Sequence, residues 1–313
     1  MNYFQLVLDH MAGFGVLLLA GFMLGKLKVI KKTALPHFAS LIVNVLIPCL
    51  AFTTIYNGGV TPQVIAGLWP VIAAFLIAYM LLFALGLLSG KLFRLNRHRA
   101  RVHIAVTMFS NMGFVGVPLL QAVFPVEAFA ASIAVFFVLN QLLLWTMGVY
   151  LFSDNRHIVS RNKRWRNFIN PIVVCVIVSV TLSFTGLRLP VLLTDAIAGL
   201  GDASKVFAIL YLGAVMAFVP FKALKGALPI LVTFLAKTAL AVGVFWACVC
   251  FMPMQDASVL AIIAALPTNN SASAMAARFG SEDIYAALAT ITTSFCCVFT
   301  IPLLSALTFG LFA

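Results

Sequence analysis

Ten long apolar runs, separated by short gaps, constrain this chain more than any other feature. A helix needs ~20 mostly apolar residues to cross the hydrocarbon layer, and no backbone group in lipid can go unpaired, so such runs read as membrane helices. They fall at 11–28, 38–56, 64–90, 102–123, 127–152, 167–187, 205–221, 227–251, 257–279 and 284–312. The apolar/polar alternation of a membrane barrel is absent. Composition agrees: 63% of the 313 residues are hydrophobic and 9% charged, with a mean hydropathy of +1.12. That leaves too little polar surface to cover a soluble domain of this length, and the expected fold class is an all-α integral membrane protein with ten transmembrane helices. Met1 to His10 carries no basic stretch and no clear cleavage site follows, so the first run reads as a retained helix rather than a signal peptide.

The net charge is +12, but nucleic-acid binding needs a basic face on a folded domain, and here the basic residues sit in gaps between apolar runs. Their distribution tests the helix count. The odd-numbered connections hold Lys26, Lys28, Lys31 and Lys32; Lys91, Arg94, Arg97, Arg99 and Arg101; Arg156, Arg161, Lys163, Arg164 and Arg166; then Lys222 and Lys225, with Arg278 bordering the ninth. The even connections hold only Arg188 and Lys205. By the positive-inside rule the odd connections are cytoplasmic and both termini lie outside. A miscount by one would scramble this asymmetry.

The basic 153–166 segment divides the chain into a first five-helix repeat (1–152) and a second (167–313). With an odd number of spans in each, related halves must sit upside down to one another, a 5+5 inverted repeat. Each half has a fourth span interrupted in mid-membrane: Ser110-Asn111-Met112-Gly113-Phe114-Val115-Gly116-Val117-Pro118 and Leu266-Pro267-Thr268-Asn269-Asn270-Ser271. Proline removes a backbone donor and obstructs the carbonyl one turn earlier, and neighbouring Asn and Ser side chains satisfy what is freed. Two half-helices then end at the membrane centre, where N-terminal dipoles favour an anion. Interrupted segments at corresponding places point to the binding site of a secondary transporter.

With these motifs the sequence resembles the auxin efflux carrier family, which spans plant auxin exporters and bacterial permeases for malate and other organic acids. The resemblance covers essentially the whole chain and rests on Asn44-Val45-Leu46-Ile47-Pro48, Ser110-Asn111 through Gly116-Val117-Pro118, Leu212-Gly213 and Pro267. It implies a sodium/bile-acid-symporter-like fold with two crossing broken helices, in which spans one, two, six and seven form a scaffold and the other six a moving transport domain. It maps Asn111, Gly113 and Pro118 to the first crossover, and Pro267, Thr268, Asn269 and Asn270 to the second. Asn44 and Pro48 map to the scaffold wall facing the substrate. A homodimer through the scaffold helices is also implied. The chain departs from the family near the start of the seventh span, where a proline is common and this sequence reads Ala203-Ser204-Lys205-Val206-Phe207. The long central loop of the plant exporters is absent.

Lys237 lies well inside the eighth span. A lysine at the bilayer centre costs ~2.5–3.5 kcal/mol on insertion scales, so it needs a partner or water. Two readings stand: a cation supporting the crossover or attracting substrate, and a side chain snorkelling to the interface. Lys205 is either an anion contact near the outer mouth or a charge at the membrane edge. Asn140 and Gln141 either line the cavity or bond a neighbouring helix. Tyr211 is a further candidate for a substrate hydrogen bond. The acidic residues are placed at helix ends or in loops, which weakens a cation/proton antiporter reading. The six cysteines lie in apolar runs, and five histidines at span ends have no metal or triad spacing, so neither a metal centre, a cofactor nor an enzyme is expected.

The expected function is alternating access of elevator type, moving a small mono- or dicarboxylate, with efflux as the direction and H+ or Na+ as possible coupling ions. The alternative is a cation/proton antiporter on the same inverted-repeat fold. The short loops fit a bacterial inner membrane, with periplasmic termini.

Overall fold

A computed structural model describes residues 3–124, 126–153, 171–219, 226–279 and 281–309. The 153–166 linker, Ser153 apart, and the Lys222 and Lys225 connection lie outside the described residues. Among those described, every regular element is helical, and the β geometry is confined to one antiparallel bridge between Ser110 and Thr268.

The chain begins with α1 (Tyr3–Lys26). Next, α2 (Leu35–Leu41) runs through a wide i→i+5 turn at Ile42–Leu46 into α3 (Ile47–Asn57), where Pro48 occupies the first turn. A short α4 (Pro62–Gly67) leads to α5 (Trp69–Leu92). Then come α6 (Arg97–Met108), a wide turn at Met112–Gly116, and α7 (Val117–Val123). A third wide turn, Leu144–Gly148, joins α8 (Val126–Leu143) to α9 (Val149–Phe152). The second half comprises α10 (Pro171–Thr185), α11 (Val191–Phe218), α12 (Leu228–Val249), α13 (Met254–Ala265), α14 (Ser271–Arg278) and α15 (Asp283–Phe309).

Among the described residues, seven stretches are long and apolar enough to cross a membrane: Gln5–Lys26, Lys32–Asn57, Trp69–Leu92, Ala130–Phe152, Val191–Phe218, Leu228–Val249 and Asp283–Thr308. The runs expected at 102–123 and 257–279 are each in two pieces, α6 with α7 and α13 with α14, and the run at 167–187 is the shorter α10. The seventh run is corrected: its helix starts at Val191, directly after Pro190, rather than at residue 205. Asp195, Asp202 and Lys205 lower the hydropathy there without interrupting the hydrogen-bond ladder. Lys205 therefore belongs to no connection, and Asp202 lies inside a helix instead of at its end.

Two groups of helix contacts surround the breaks, and α1 packs on α15 between them. In one, α1 lies along α11, α11 against α3, and α3 against α10. The α1–α11 crossing is built on small residues. A Cβ on Gly21 would strike the Leu210 carbonyl, one on Gly213 the Leu18 carbonyl, and one on Gly25 would fall 2.6 Å from the Ala217 methyl. Helices in lipid associate by such close approach, since apolar burial gives no net drive there. In the other set α5 packs on α6, α12 on α13 and α14 on α15. Large apolar side chains face outward, including Val16, Leu19 and Met23 of α1, Met80 and Leu88 of α5 and Leu192 of α11, as a lipid-facing surface requires.

Candidate functional site

Both breaks have a local cause. Leu266 precedes Pro267, and the proline ring pushes it out of the helical region to φ −55°, ψ 149°, which ends α13. At the first break Phe109 turns to φ −85°, ψ 106° and ends α6. Each chain then restarts on an asparagine: Asn111 Oδ1 accepts from the Phe114 amide at 3.3 Å, and Asn269 Oδ1 from the Ser271 amide at 2.8 Å. These caps satisfy donors that a helix start leaves free.

The two breaks are joined through their main chains. The Asn111 amide donates to the Pro267 carbonyl at 2.8 Å and the Asn269 amide to the Phe109 carbonyl at 3.0 Å, one on each side of the Ser110–Thr268 bridge. Side chains reinforce the join. Asn111 Nδ2 donates to Asn270 Oδ1 at 3.0 Å, and Thr268 Oγ1 to the Val106 carbonyl at 2.7 Å. The Thr268 amide donates to Thr293 Oγ1 of α15 at 2.9 Å. All of these residues are buried.

Lys237 of α12 reaches this join. Its side chain is buried, and Nζ donates to Ser110 Oγ at 3.0 Å, so the ammonium ends at the crossover and not at the membrane edge. From the opposite half, the Tyr79 hydroxyl donates to Asn140 Oδ1 at 2.5 Å and also reaches the Ser110 backbone. Tyr79 and Lys237 are as far apart in the chain as Ser110 and Thr268.

Three buried donors near the crossover have no hydrogen-bond partner among the described residues: Asn140 Nδ2, Asn270 Nδ2 and Trp145 Nε1. A buried N–H left unpaired costs about 1–3 kcal/mol, so such donors call for an acceptor. Trp145 lines a cavity of about 10 Å³ with Asn111, Gly113, Gln141, Asn269 and Ser271. Ile47 of α3 and Ile172 of α10 close it from the other set of helices. One water fills such a space, so the conformation described is tight at the crossover.

Larger spaces open on the side of α1 that carries Asp9 and His10. A cavity of about 470 Å³ lies between α1, α11 and the first half-helix, lined by Phe14, Phe114, Pro118 and Lys205 among others. A second, of about 200 Å³, is lined by Thr53, Asn57, Gln121, Asp202 and, again, Lys205.

The structure thus gathers Asn111, Gly113, Thr268, Asn269 and Asn270, with the Pro267 carbonyl, into one constellation, with Lys237 and Asn140 attached. Pro118 lines the larger cavity, and Pro48 is buried next to Ile47. Asn44 and Tyr211 stand apart. Asn44 is exposed and donates to Ser40 Oγ at 3.0 Å, and Tyr211 packs among apolar side chains, with Ile30, Leu35 and Ala214 nearby. Sequence reasoning missed Trp145 and Tyr79, which in an apolar helix look like packing. It also placed His103 at a span end. His103 is buried, Nδ1 pairing with the Tyr285 hydroxyl at 2.8 Å and Nε2 with Ser89 Oγ at 2.9 Å, one turn from the ion pair of Arg99 with Glu282.

A helical membrane protein whose two broken helices meet end to end over a small polar site belongs to the transporter class. A family model described as membrane transport protein matches residues 7–305, and the chain belongs to that family, the family of the auxin efflux carriers. No curated protein matches the chain.

Proposed function

We propose that this membrane transporter moves a small organic anion, a mono- or dicarboxylate, by alternating access of elevator type. The observation that carries the reading is the trio of buried, unpartnered donors at a join where half-helices begin. Asn270 Nδ2, Asn140 Nδ2 and Trp145 Nε1 lack acceptors among the described residues, the N-terminal dipoles of the restarting helices add positive potential, and Lys237 brings a further donor to Ser110. A carboxylate oxygen is the acceptor that such donors call for.

The proposed architecture is ten crossings arranged as a 5+5 inverted repeat. Seven long spans, one shorter helix and two divided ones account for ten, and the matching separations of the Ser110–Thr268 and Tyr79–Lys237 pairs support the repeat. α1, α3, α10 and α11 form the scaffold and the remainder the transport domain. Both termini lie outside, in a bacterial inner membrane, because the basic connections belong in the cytoplasm. The scaffold is the proposed dimer surface. An uncoupled anion is driven outward by ~2.3 kcal/mol per charge per 100 mV, so efflux is the proposed direction.

The test is flux of a carboxylate panel through proteoliposomes with an imposed potential. Saturable flux that follows the potential is expected, with at least a tenfold loss in Asn111→Ala and Asn270→Leu. Flux only under an H+ or Na+ gradient would assign that ion to coupling. Absence of carboxylate flux together with cation-dependent pH changes would replace this reading by a cation/proton antiporter.

A further inference from the structure

Lys205 lines two cavities at once. It lines the 470 Å³ space with α1 and the first half-helix, and the 200 Å³ space with α3, Gln121 of α7 and Ala130 of α8. Its ammonium is held by Asp202, one turn back on α11, at 2.8 Å. The Asp202 side chain is 73% exposed and that of Lys205 27%, so the pair is a weak tether: the anion is wet while the cation faces the cavities. An exposed ion pair contributes ~0–1 kcal/mol, which an incoming carboxylate can offset by taking Asp202's place.

The rest of the lining decides what kind of anion fits. Around the larger cavity the charged and titratable groups are Asp9 and His10 of α1 and Lys205 of α11. Asp202 faces Lys205 from the smaller cavity, and Thr53, Thr54, Asn57 and Gln121 are the neutral polar groups there. One ammonium thus shares these cavities with two carboxylates, Asp9 and Asp202. Beyond it the wall is apolar: Met11, Phe14, Leu17, Phe114, Val206 and Ile209. A second carboxylate on the cargo would lie against these apolar groups or near Asp9, losing hydration without a partner. The volume is that of a small-molecule site, typically ~300–1,000 Å³.

We propose that Lys205 is the specificity-determining cation of an outer vestibule, and that it selects monocarboxylates with an apolar body over dicarboxylates and neutral analogues. The proposal rests on the organic-anion reading above and narrows it. Phe114, Val115 and Pro118, which follow the Asn111 break, form one wall of the same cavity, so an anion released from the crossover on the outer side meets Lys205 next. Asp202 keeps the ammonium positioned when no anion is present and competes with it when one is.

The test uses three six-carbon probes on the full-length protein in detergent: hexanoate, its neutral analogue hexanamide and the dicarboxylate adipate, with Kd read from ligand-induced thermal stabilisation. Hexanoate is expected to bind at least tenfold more tightly than either other probe. Lys205→Gln should bring hexanoate to the level of hexanamide, Lys205→Arg should restore most of the difference, and Asp202→Asn should strengthen hexanoate binding and narrow the gap to adipate. Charge discrimination that survives Lys205→Gln, or adipate binding more tightly than hexanoate, overturns the proposal while leaving the organic-anion reading intact. If none of the probes binds the wild-type protein and no carboxylate crosses in proteoliposomes, both fall together.

Discussion

Lys237 and Ser110 form a demanding pair of residues: a lysine at membrane depth whose Nζ meets a hydroxyl at 3.0 Å. Removing one member of a buried charged pair leaves the other desolvated, whereas replacing the charge itself by an apolar group is often tolerated. Ser110→Ala is therefore expected to lower stability by about 1.5–3 kcal/mol, the range for hydrogen bonds to charged groups. Lys237→Met should cost less, and the double variant should recover part of the Ser110→Ala loss, measured by thermal unfolding in detergent. Transport should fall at least tenfold in both Lys237→Met and the double variant; wild-type flux in either would remove the lysine from the site. A lysine inside an apolar run announces itself in the sequence, and so do Pro267 and the asparagines around it. Ser110 does not, because a serine becomes an acceptor for an ammonium only when two distant segments meet. Tyr79 and Trp145 are hidden for a related reason: their polar atoms are a small part of side chains that otherwise suit lipid-facing or packed positions equally.

Single helices carry two further lessons. The α1–α11 contact depends on backbone proximity at Gly21, Gly25 and Gly213. Gly213→Val has to push the helices apart and is expected to cost 1–3 kcal/mol or more, about the scale of an overpacked core. Gly13→Ala is the control in the same helix as Gly21: an added Cβ there meets nothing within 4 Å, so stability should be unchanged or gain about 0.5–1 kcal/mol from helix propensity. Equal melting temperatures for the two variants would show that the crossing is loosely packed. Helix existence was legible from hydropathy, but helix extent was not. α11 continues through Asp195, Asp202 and Lys205 because charges on its open side can stay hydrated, and hydropathy averages over all sides of a helix at once. The wide turns at Ile42–Leu46, Met112–Gly116 and Leu144–Gly148 were equally silent, since one extra residue per turn leaves no compositional trace.

At the scale of the molecule, the two helix sets meet across the cavity that Thr53 of α3 and Gln121 of α7 line together. If one set slides past the other, a tether across that line must stop the cycle. On a background with the six native cysteines replaced, Thr53→Cys with Gln121→Cys is expected to lose more than nine-tenths of its flux on treatment with a short bifunctional maleimide. Tyr56→Cys with Ser183→Cys, which line one cavity within the α3–α10 set, should keep its flux under the same treatment. Similar flux in both treated variants would mean that the sets do not slide. This partition was not readable from composition; it came with the family resemblance, whereas the uneven placement of basic residues was readable directly, as a count of Lys and Arg in alternate gaps. One consequence follows from the bridge between Ser110 and Thr268. Its two flanking bonds run between main-chain atoms, Asn111 N to Pro267 O and Asn269 N to Phe109 O, and main-chain atoms are the same whatever residue carries them. The main-chain part of the joint thus survives a change of displayed side chain, so a new cargo preference can be written here provided that the bonds Asn111 and Thr268 add to the join are kept.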